Sequence, residues 1–237
     1  MMKYVYVLLF IFIQSSKCFC VENKEVYVFI GSGVTFVPEN IQIPSSLDDR
    51  PRYVLEAKIK NDLSMSGGFG YRFNKFFRIE GLFDYKSNKI ENVKLKEINI
   101  SGIGISGGYG NIRSYSLICN FWYDLHFTNK LKGYFGVGLG MSKIILDNFI
   151  LERIYIPPPF DHFEKVEELE IDDESWEFAG QLGIGISYEL INHVILDFGY
   201  RYFMANDPHF MNRHNEVTKM KYKMNNIICI LKYCINI

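Results

Sequence analysis

The sequence lacks several features that define common classes of protein. Its 237 residues contain no run of about 18 apolar residues, so no transmembrane helix is predicted. Basic charge is not in excess, because 26 Lys and Arg oppose 27 Asp and Glu. Nucleic-acid binding depends on clustered Lys and Arg that contact phosphates, so a nucleic-acid partner is not expected.

Cysteine is also scarce. Of the 5 cysteines, two lie in the first 20 residues, and Cys119, Cys229 and Cys234 remain. This odd number shows neither a C-x-x-C motif nor the spacing of a zinc site, so a disulfide or metal scaffold is not expected. Cys119 and Cys229 lie in alternating apolar segments, where a cysteine packs as a small hydrophobic residue.

The first 20 residues have the order of a secretory signal peptide. Lys3 precedes an apolar run over residues 4–13, which is followed by polar and small residues. This run is too short to span a bilayer. We expect cleavage after Cys20 and a mature domain over residues 21–237. A lipid-modified cysteine and a buried first strand are alternative interpretations of the segment.

The rest of the chain alternates with a period of two, which is typical of β-strands. In residues 63–73, large apolar side chains alternate with Ser, Gly and Arg. The same alternation recurs in residues 77–86, 114–125, 134–142, 176–189 and 194–203. Residues 26–37 and 222–233 supply two terminal strands with less certain alternation, which gives eight strands in total.

The connections between these segments alternate in length. Short turns fall at residues 74–75, 126–130 and 191–193, whereas long polar segments fall at about 38–59, 87–112, 146–174 and 205–219. This alternation predicts an all-β fold, an eight-stranded antiparallel up-and-down transmembrane β-barrel with four long outer loops. Aromatic residues gather near both ends, as interfacial girdles do: Tyr71, Phe73, Phe76, Phe77, Tyr123, Phe127 and Tyr188 at the short turns, and Tyr85, Tyr202 and Phe203 at the long loops.

A soluble barrel of the lipocalin type would show the same alternation, with its large apolar side chains around an internal ligand. The size of the side chains discriminates between the two barrels. The face rich in Gly and Ser suits the narrow interior of eight strands, and the face with the largest side chains suits lipid. We therefore favour the membrane barrel, with outer-membrane lipid as its surroundings.

In the membrane barrel, a set of charged residues would face the lumen, either as structural pairs or as the lining of a pore. They would have to pair or retain water, because an unpaired buried charge is costly. The acidic majority among them suggests a narrow cation-preferring pore as an alternative function. The predicted luminal charges are Arg72, Arg78, Glu80, Asp84, Asp124, Glu177, Glu189, Asp197 and Arg201.

Residues 183–202, with the glycine-rich segment 134–140 before them, carry a resemblance to a known superfamily. The chain resembles the small outer-membrane β-barrels that include opacity-type porins, the OmpA-like membrane domain and bacterial surface antigens. This resemblance implies an outer-membrane protein whose surface loops act in adhesion, antigen display or envelope integrity. It implies a host or environmental surface receptor as partner, and it supplies no catalytic residue and no cofactor.

Two further patterns invite a chemical interpretation. Residues Gly102–Gly107 spell G-x-G-x-x-G, but no βαβ unit surrounds them, so we expect a loop tip or a strand extension, which could raise the strand number to ten. His209 and His214, with Asp207 nearby, have a spacing that suits neither a helix face nor a tight turn. We therefore predict no metal site, no cofactor and no enzymatic activity.

The third long segment is strongly acidic, and the fourth is basic. The acidic residues are Glu164, Glu167, Glu168, Glu170, Asp172, Asp173 and Glu174; the basic ones are Arg213, His214, Lys219, Lys221 and Lys223. The acidic spacing matches no EF-hand loop, so a solvated face is preferred over a Ca²⁺ or Mg²⁺ site. Their opposite charges suggest that the two segments attract one another across the barrel mouth.

Overall fold

The computed structural model describes residues 24–37, 41–47, 50–98, 103–155, 164–211 and 217–236, all of which belong to β-strands or their connections. In this part of the chain no helix has the length and apolar character needed to cross a membrane. The strands are β1 (Glu25–Phe36), β2 (Ile41–Leu47), β3 (Arg50–Ile59), β4 (Asp62–Arg72), β5 (Phe77–Ile98), β6 (Ile103–His126), β7 (Leu131–Tyr155), β8 (Glu164–Ile191), β9 (Val194–Ala205), β10 (His209–Met211), β11 (Val217–Lys219) and β12 (Lys223–Asn236). The predicted signal peptide, residues 1–20, lies outside the described residues and stays a prediction.

Eight of these strands close into an antiparallel barrel. Around the barrel the order is β1, β4, β5, β6, β7, β8, β9 and β12, and β12 pairs with β1 to complete the ring. A path along paired residues leaves β8 at Ile186 and returns to the same strand at Trp176, ten residues earlier. This stagger tilts the strands and leaves an interior just wide enough for side chains. The prediction of eight strands is confirmed, and the alternative of ten is wrong.

The three predicted short turns lie at one end of the barrel, together with the start of β1 and the end of β12. In the first turn, the side-chain oxygen of Asn74 accepts hydrogen bonds from the backbone amides of Phe76 and Phe77, at 2.8 and 2.9 Å. In the second, the hydroxyl of Thr128 accepts from the amide of Leu131 at 2.9 Å. In the third, His193 adopts a positive φ of 71°, which the reversal of a two-residue turn requires.

The large apolar side chains point outward, as the alternation predicts. Ile30, Leu139 and Phe178 are about 70% exposed, whereas their sequence neighbours point into the lumen. Such a surface is stable only against lipid, because contiguous exposed apolar patches of this extent are avoided in water. The soluble lipocalin-like barrel is therefore wrong, since it requires the opposite orientation of these faces.

Strands β5 to β8 are 22, 24, 25 and 28 residues long, more than twice the roughly 10 residues that cross a bilayer. Their outer parts form an extracellular extension, defined as residues 87–98, 103–113, 143–155 and 164–175 together with β2, β3, β10 and β11. The extension continues the sheet of the barrel without a break in β5 to β8. The prediction of long polar loops over 87–112 and 146–174 is thus largely wrong.

The physical reason lies in the interior of the extension, which is apolar. Along these strands apolar residues alternate with polar residues that face water. The apolar residues point inward and are buried: Ile90, Val93, Ile112, Ile144, Leu146, Phe149 and Ile171. Phe210 and Tyr222 contribute from the β9–β12 connection. The alternation of these segments was hidden by their high polar content, although it is the ordinary pattern of a strand with one wet face.

The two aromatic girdles are present, with one exception. At the short turns, Tyr71 and Phe73 pack edge to face at 4.9 Å between ring centroids, and Phe77 packs against Tyr123 at 5.1 Å. Near the extension, the rings of Tyr85 and Tyr115 lie 5.0 Å apart on neighbouring strands. Phe203 was predicted in this outer girdle but is fully buried inside the barrel, because its position on β9 has the inward parity of Asp197 and Arg201.

Glycines on the inner face leave space for two large aromatic rings. A Cβ atom at Gly183 would lie 2.6 Å from the Trp122 ring, and one at Gly185 would lie 2.5 Å from the Tyr134 ring. Trp122 is 1% exposed and Tyr134 is 3% exposed, so neither ring has room to move away. These glycines are therefore required by close packing across the lumen.

We predict that Gly183→Ala destabilises the barrel by about 1–3 kcal/mol, because the added methyl group overpacks the lumen against Trp122. The measurement is urea-induced unfolding in lipid vesicles. Gly180→Ala on the same strand is the matched control, since its Cβ would meet no atom closer than 3.6 Å. Equal stability of the two variants would contradict the packing role.

Candidate functional site

A buried carboxylate, Glu80 on β5, lies at the centre of the lumen. One of its oxygens, Oε1, accepts hydrogen bonds from the Arg78 guanidinium at 2.7 Å, from Lys232 Nζ at 2.7 Å and from the Tyr27 hydroxyl at 2.8 Å. The other, Oε2, accepts from the indole Nε1 of Trp122 at 2.6 Å. Glu80 therefore joins side chains of β1, β5, β6 and β12.

The bases that contact Glu80 also bind two further carboxylates. Arg78 Nε donates to Asp124 at 2.9 Å, and Lys232 Nζ lies 2.7 Å from Asp197. The Arg78 guanidinium also lies 3.7 Å from Asp197, so Arg78 and Lys232 each face more than one carboxylate. We call Arg78, Glu80, Asp124, Asp197 and Lys232 the luminal network. Charge-assisted hydrogen bonds of this kind offset the cost of burying five charges.

Aromatic rings complete the surroundings of the luminal network. The Arg78 guanidinium lies 4.8 Å from the centroid of the Tyr134 ring, and Arg201 lies 5.3 Å from that of Trp122. Lys232 lies 4.9 Å from the ring of Tyr27. Each cation thus faces an electron-rich ring in addition to its acid. Rings and ion pairs together fill the cross-section of the barrel at this level.

A second buried ion pair lies further toward the extension. The ammonium group of Lys86 pairs with Asp84, and it lies 4.2 Å from the centroid of the Phe203 ring. Lys86 is 1% exposed. Beyond this pair the interior holds the apolar core of the extension, together with buried polar residues such as Asn88 and Ser114.

The structure places the predicted luminal charges on the inner face, together with four others: Glu25, Lys86, Lys132 and Lys232. Glu25 and Lys232 lie in the terminal strands, whose alternation is uncertain in the sequence, and Lys132 lies beside a predicted short turn. Lys86 has the same parity as the predicted Asp84. Glu177 and Glu189 lie near the two ends, where they are partly exposed. Among described residues the fully buried charges are five basic and four acidic: Arg72, Arg78, Lys86, Arg201 and Lys232 against Glu80, Asp84, Asp124 and Asp197.

This balance changes the argument for a cation pore, which rested on an excess of luminal acids. The excess disappears among the buried charges, since Lys86 and Lys232 offset it. Every acid of the luminal network is engaged by a base. The arrangement is that of a salt-bridged plug rather than a row of free carboxylates.

The described residues contain no group of three or more His, Cys, Asp or Glu placed to hold a metal ion. His209 lies in the extension with its Nδ1 4.0 Å from Glu177, and the side chain of His214 lies outside the described residues. Cys119 and Cys229 are exposed on the outer wall, and Cys234 is buried; none is in a disulfide. Gly102, the first residue of the G-x-G-x-x-G segment, lies outside the described residues, and the other five, from Ile103, form part of strand β6, in agreement with the predicted strand extension.

Ion pairs also lie on the outer surface of the extension. Arg113 pairs with Asp147 across β6 and β7, and a hydrogen bond to Asp147 raises the pKa of the Arg113 guanidinium. Lys143 pairs with Glu174 across β7 and β8. These pairs link neighbouring strands at the level where the sheet leaves the membrane.

The predicted attraction between the acidic and basic segments stays a prediction. The side chains of Arg213, His214 and Lys219 lie outside the described residues, as do those of the acidic residues before Ile171. A contact between the two segments is present in the described part, where the backbone amide of Met211 donates to Asp173 at 2.7 Å.

A closed barrel with an apolar outer wall, aromatic girdles and a charged lumen is an integral outer-membrane β-barrel. Comparison with known proteins gives the same class. The chain matches the outer membrane protein β-barrel domain family over residues 31–228. It belongs to this family, and its location is the cell outer membrane.

Two curated relatives are uncharacterized proteins of Brucella. One from Brucella abortus (strain 2308) is 27% identical over 161 residues, which cover 62% of this chain and 53% of the relative. One from Brucella suis biovar 1 (strain 1330) shows the same identity and coverage. The chain thus spans about half the length of the curated relatives it matches.

Solved structures with a similar fold include the outer membrane protein OprG from Pseudomonas aeruginosa. It is 16% identical, with a TM-score of 0.58, and the match covers 92% of this chain and 99% of that one. Neisserial surface protein A is 17% identical, with a TM-score of 0.47, over 90% of this chain and 99% of that one. At these identities the likeness to OprG concerns the fold alone.

We predict that Glu80→Ala destabilises the barrel by about 3 kcal/mol or more, because it leaves Arg78 and Lys232 buried with one acid fewer. The measurement is urea-induced unfolding in lipid vesicles, followed by tryptophan fluorescence. Glu174→Ala is the control, since this acid is 52% exposed and its pair with Lys143 contributes about 0–1 kcal/mol. A change no larger than that of the control would show that Glu80 does not hold the lumen together.

Proposed function

We propose that the protein acts at the cell surface, where its extracellular extension binds a host or environmental surface or presents an antigen. The observation that carries this proposal is the combination of a plugged lumen with a long, ordered extension. Strand β8 runs 28 residues and β7 runs 25, so most of the sheet in this region stands outside the membrane.

The packing of the extension supports a binding role better than a role as a flexible loop. Phe149 and Ile144 are fully buried between its strands, and Arg113–Asp147 and Lys143–Glu174 fasten the outer surface. An ordered surface loses little conformational entropy when it binds, which favours affinity. The barrel below supplies a rigid anchor, because closure pairs the backbone of every strand within the membrane.

We predict that shortening the β7–β8 part of the extension reduces surface binding several-fold and preserves the barrel. Leu146 and Asp173 are paired across β7 and β8, so replacing residues 147–172 by Asn-Gly joins them with a two-residue hairpin turn. Bacteria that express this variant should adhere several-fold less to host-cell monolayers and to abiotic surfaces than bacteria with the full protein.

Two controls make this result interpretable. The heat-dependent shift of mobility in SDS gels reports whether the shortened barrel has assembled in the outer membrane. Lys130→Gln, in an exposed turn at the opposite end, should leave adhesion unchanged. Unchanged adhesion by an assembled shortened variant would overturn the proposal.

We also predict that the native protein does not conduct ions. Trp122 and Tyr134 occupy the lumen beside the luminal network, and the apolar core of the extension lies beyond it. Planar-bilayer recordings of the reconstituted protein should show no steps above baseline. Steps that favour cations would instead support the alternative of a narrow pore. A purified porin reconstituted in parallel checks that the recordings detect open channels.

A further inference from the structure

The short-turn end of the barrel contains a cavity of about 290 Å³. Because short turns of outer-membrane barrels face the periplasm, the cavity opens to that compartment. Its wall is formed by residues from six strands and one turn, among them Glu25 on β1, Arg72 on β4, Lys132 on β7, Glu189 on β8 and His193 in the β8–β9 turn. The cavity is thus the periplasmic mouth of the lumen.

The luminal network closes the inner end of this cavity. Arg72 pairs with Glu25 at the mouth and lies 3.7 Å from Asp124, which in turn accepts a hydrogen bond from Arg78. A molecule that enters from the periplasm therefore meets a charged floor. The cavity is a polar pocket at the mouth of the lumen.

Two opposite charges line this pocket without pairing. Lys132 and Glu189 lie on the neighbouring strands β7 and β8. In the strand register Lys132 is opposite Ser187, and the backbone amide of Glu189 donates a hydrogen bond to the backbone carbonyl of Lys130. Among described residues, neither Lys132 nor Glu189 forms an ion pair with the other or with a third group. An ammonium group and a carboxylate are therefore both free to bind a ligand.

Arg72 adds positive charge to the wall of the pocket. Its side chain is 8% exposed, and its two terminal nitrogens face Glu25 and Asp124. Its Nε atom has no accessible surface, so a ligand in the pocket meets the charge of the guanidinium and not this atom. Lys132, beside Arg72, thus forms the cationic side of the pocket, and Glu189 forms the anionic side.

We propose that this pocket binds a small zwitterionic group, one that carries an ammonium and a carboxylate close together, as a free amino acid or a dipeptide does. The carboxylate would bind Lys132, and the ammonium would bind Glu189. A simple anion would leave Glu189 unpaired, and a simple cation would leave Lys132 unpaired. The volume of about 290 Å³ admits a ligand the size of a dipeptide.

The experiment is isothermal titration calorimetry on the folded full-length protein in detergent, with alanylalanine as the probe. N-acetylalanine, which lacks the ammonium, and alaninamide, which lacks the carboxylate, serve as chemical controls. We expect the dipeptide to bind at least tenfold more tightly than either control. Binding of N-acetylalanine as tight as that of the dipeptide would overturn the proposal, and so would the absence of binding by all three probes.

Variants then test the assigned residues. Lys132→Gln and Glu189→Gln should each weaken dipeptide binding about tenfold or more, because each removes one charge-assisted contact. Lys130→Gln, an exposed lysine two residues from Lys132, should leave binding unchanged. The heat-dependent gel shift checks that each variant is folded. Folded Lys132→Gln and Glu189→Gln variants that bind like the native protein would overturn the assignment.

The same zwitterionic group has two sources in the periplasm: free amino acids or dipeptides, and cell-wall peptides in which a diamino acid residue ends in an ammonium and a carboxylate on one carbon. Cosedimentation with purified cell-wall sacculi distinguishes them. Cosedimentation that alanylalanine competes away identifies wall peptides as the source. Dipeptide binding without cosedimentation identifies a free ligand. Both results support the pocket, whereas cosedimentation that persists in Lys132→Gln and Glu189→Gln would contradict it.

Discussion

The carboxylate of Glu80 is the interaction on which the barrel interior depends. It receives hydrogen bonds from side chains of β1, β5, β6 and β12, and Arg201 of β9 approaches it to 3.9 Å. Strands that are far apart in the sheet are thereby held at fixed distances across the lumen. A charge buried this deeply persists only when several donors satisfy it, so the positions of Lys232, Trp122 and Tyr27 follow from that of Glu80.

The interior changes character along the barrel axis because the surroundings of the wall change. Within the membrane, the apolar side chains contact lipid, and the polar and charged side chains point into the lumen, where they pair. In the extension, water surrounds the wall, and the interior becomes apolar around residues such as Ile144 and Phe149. Strands β5 to β8 thus have their apolar side chains outward within the membrane and inward in the extension. This inversion closes the lumen and leaves an ordered surface outside the cell as the part of the protein able to meet other molecules.

Much of the fold was predictable because alternation with a period of two is visible within short segments of the sequence. Residues 63–73 and 176–189 revealed their inward and outward faces, and the residues of the luminal network on β5, β6 and β9 followed from the same parity. Lys232 was missed because it lies in a terminal strand where Lys, Asn and Cys blur the alternation. The sequence predicts loops in place of the extension because the outward residues of its strands are polar and mask the alternation of the buried residues between them.

The β-strand pattern, the short turns, the apolar outer face and hence the outer-membrane barrel follow from the sequence alone, because they depend on residues that are neighbours in the chain. The contacts between charges, the lack of an ion pair between Lys132 and Glu189 in one pocket, and the core of the extension emerge only in the folded barrel. Those facts depend on the stagger of the strands around the barrel, which brings together residues as distant as Glu80 and Lys232.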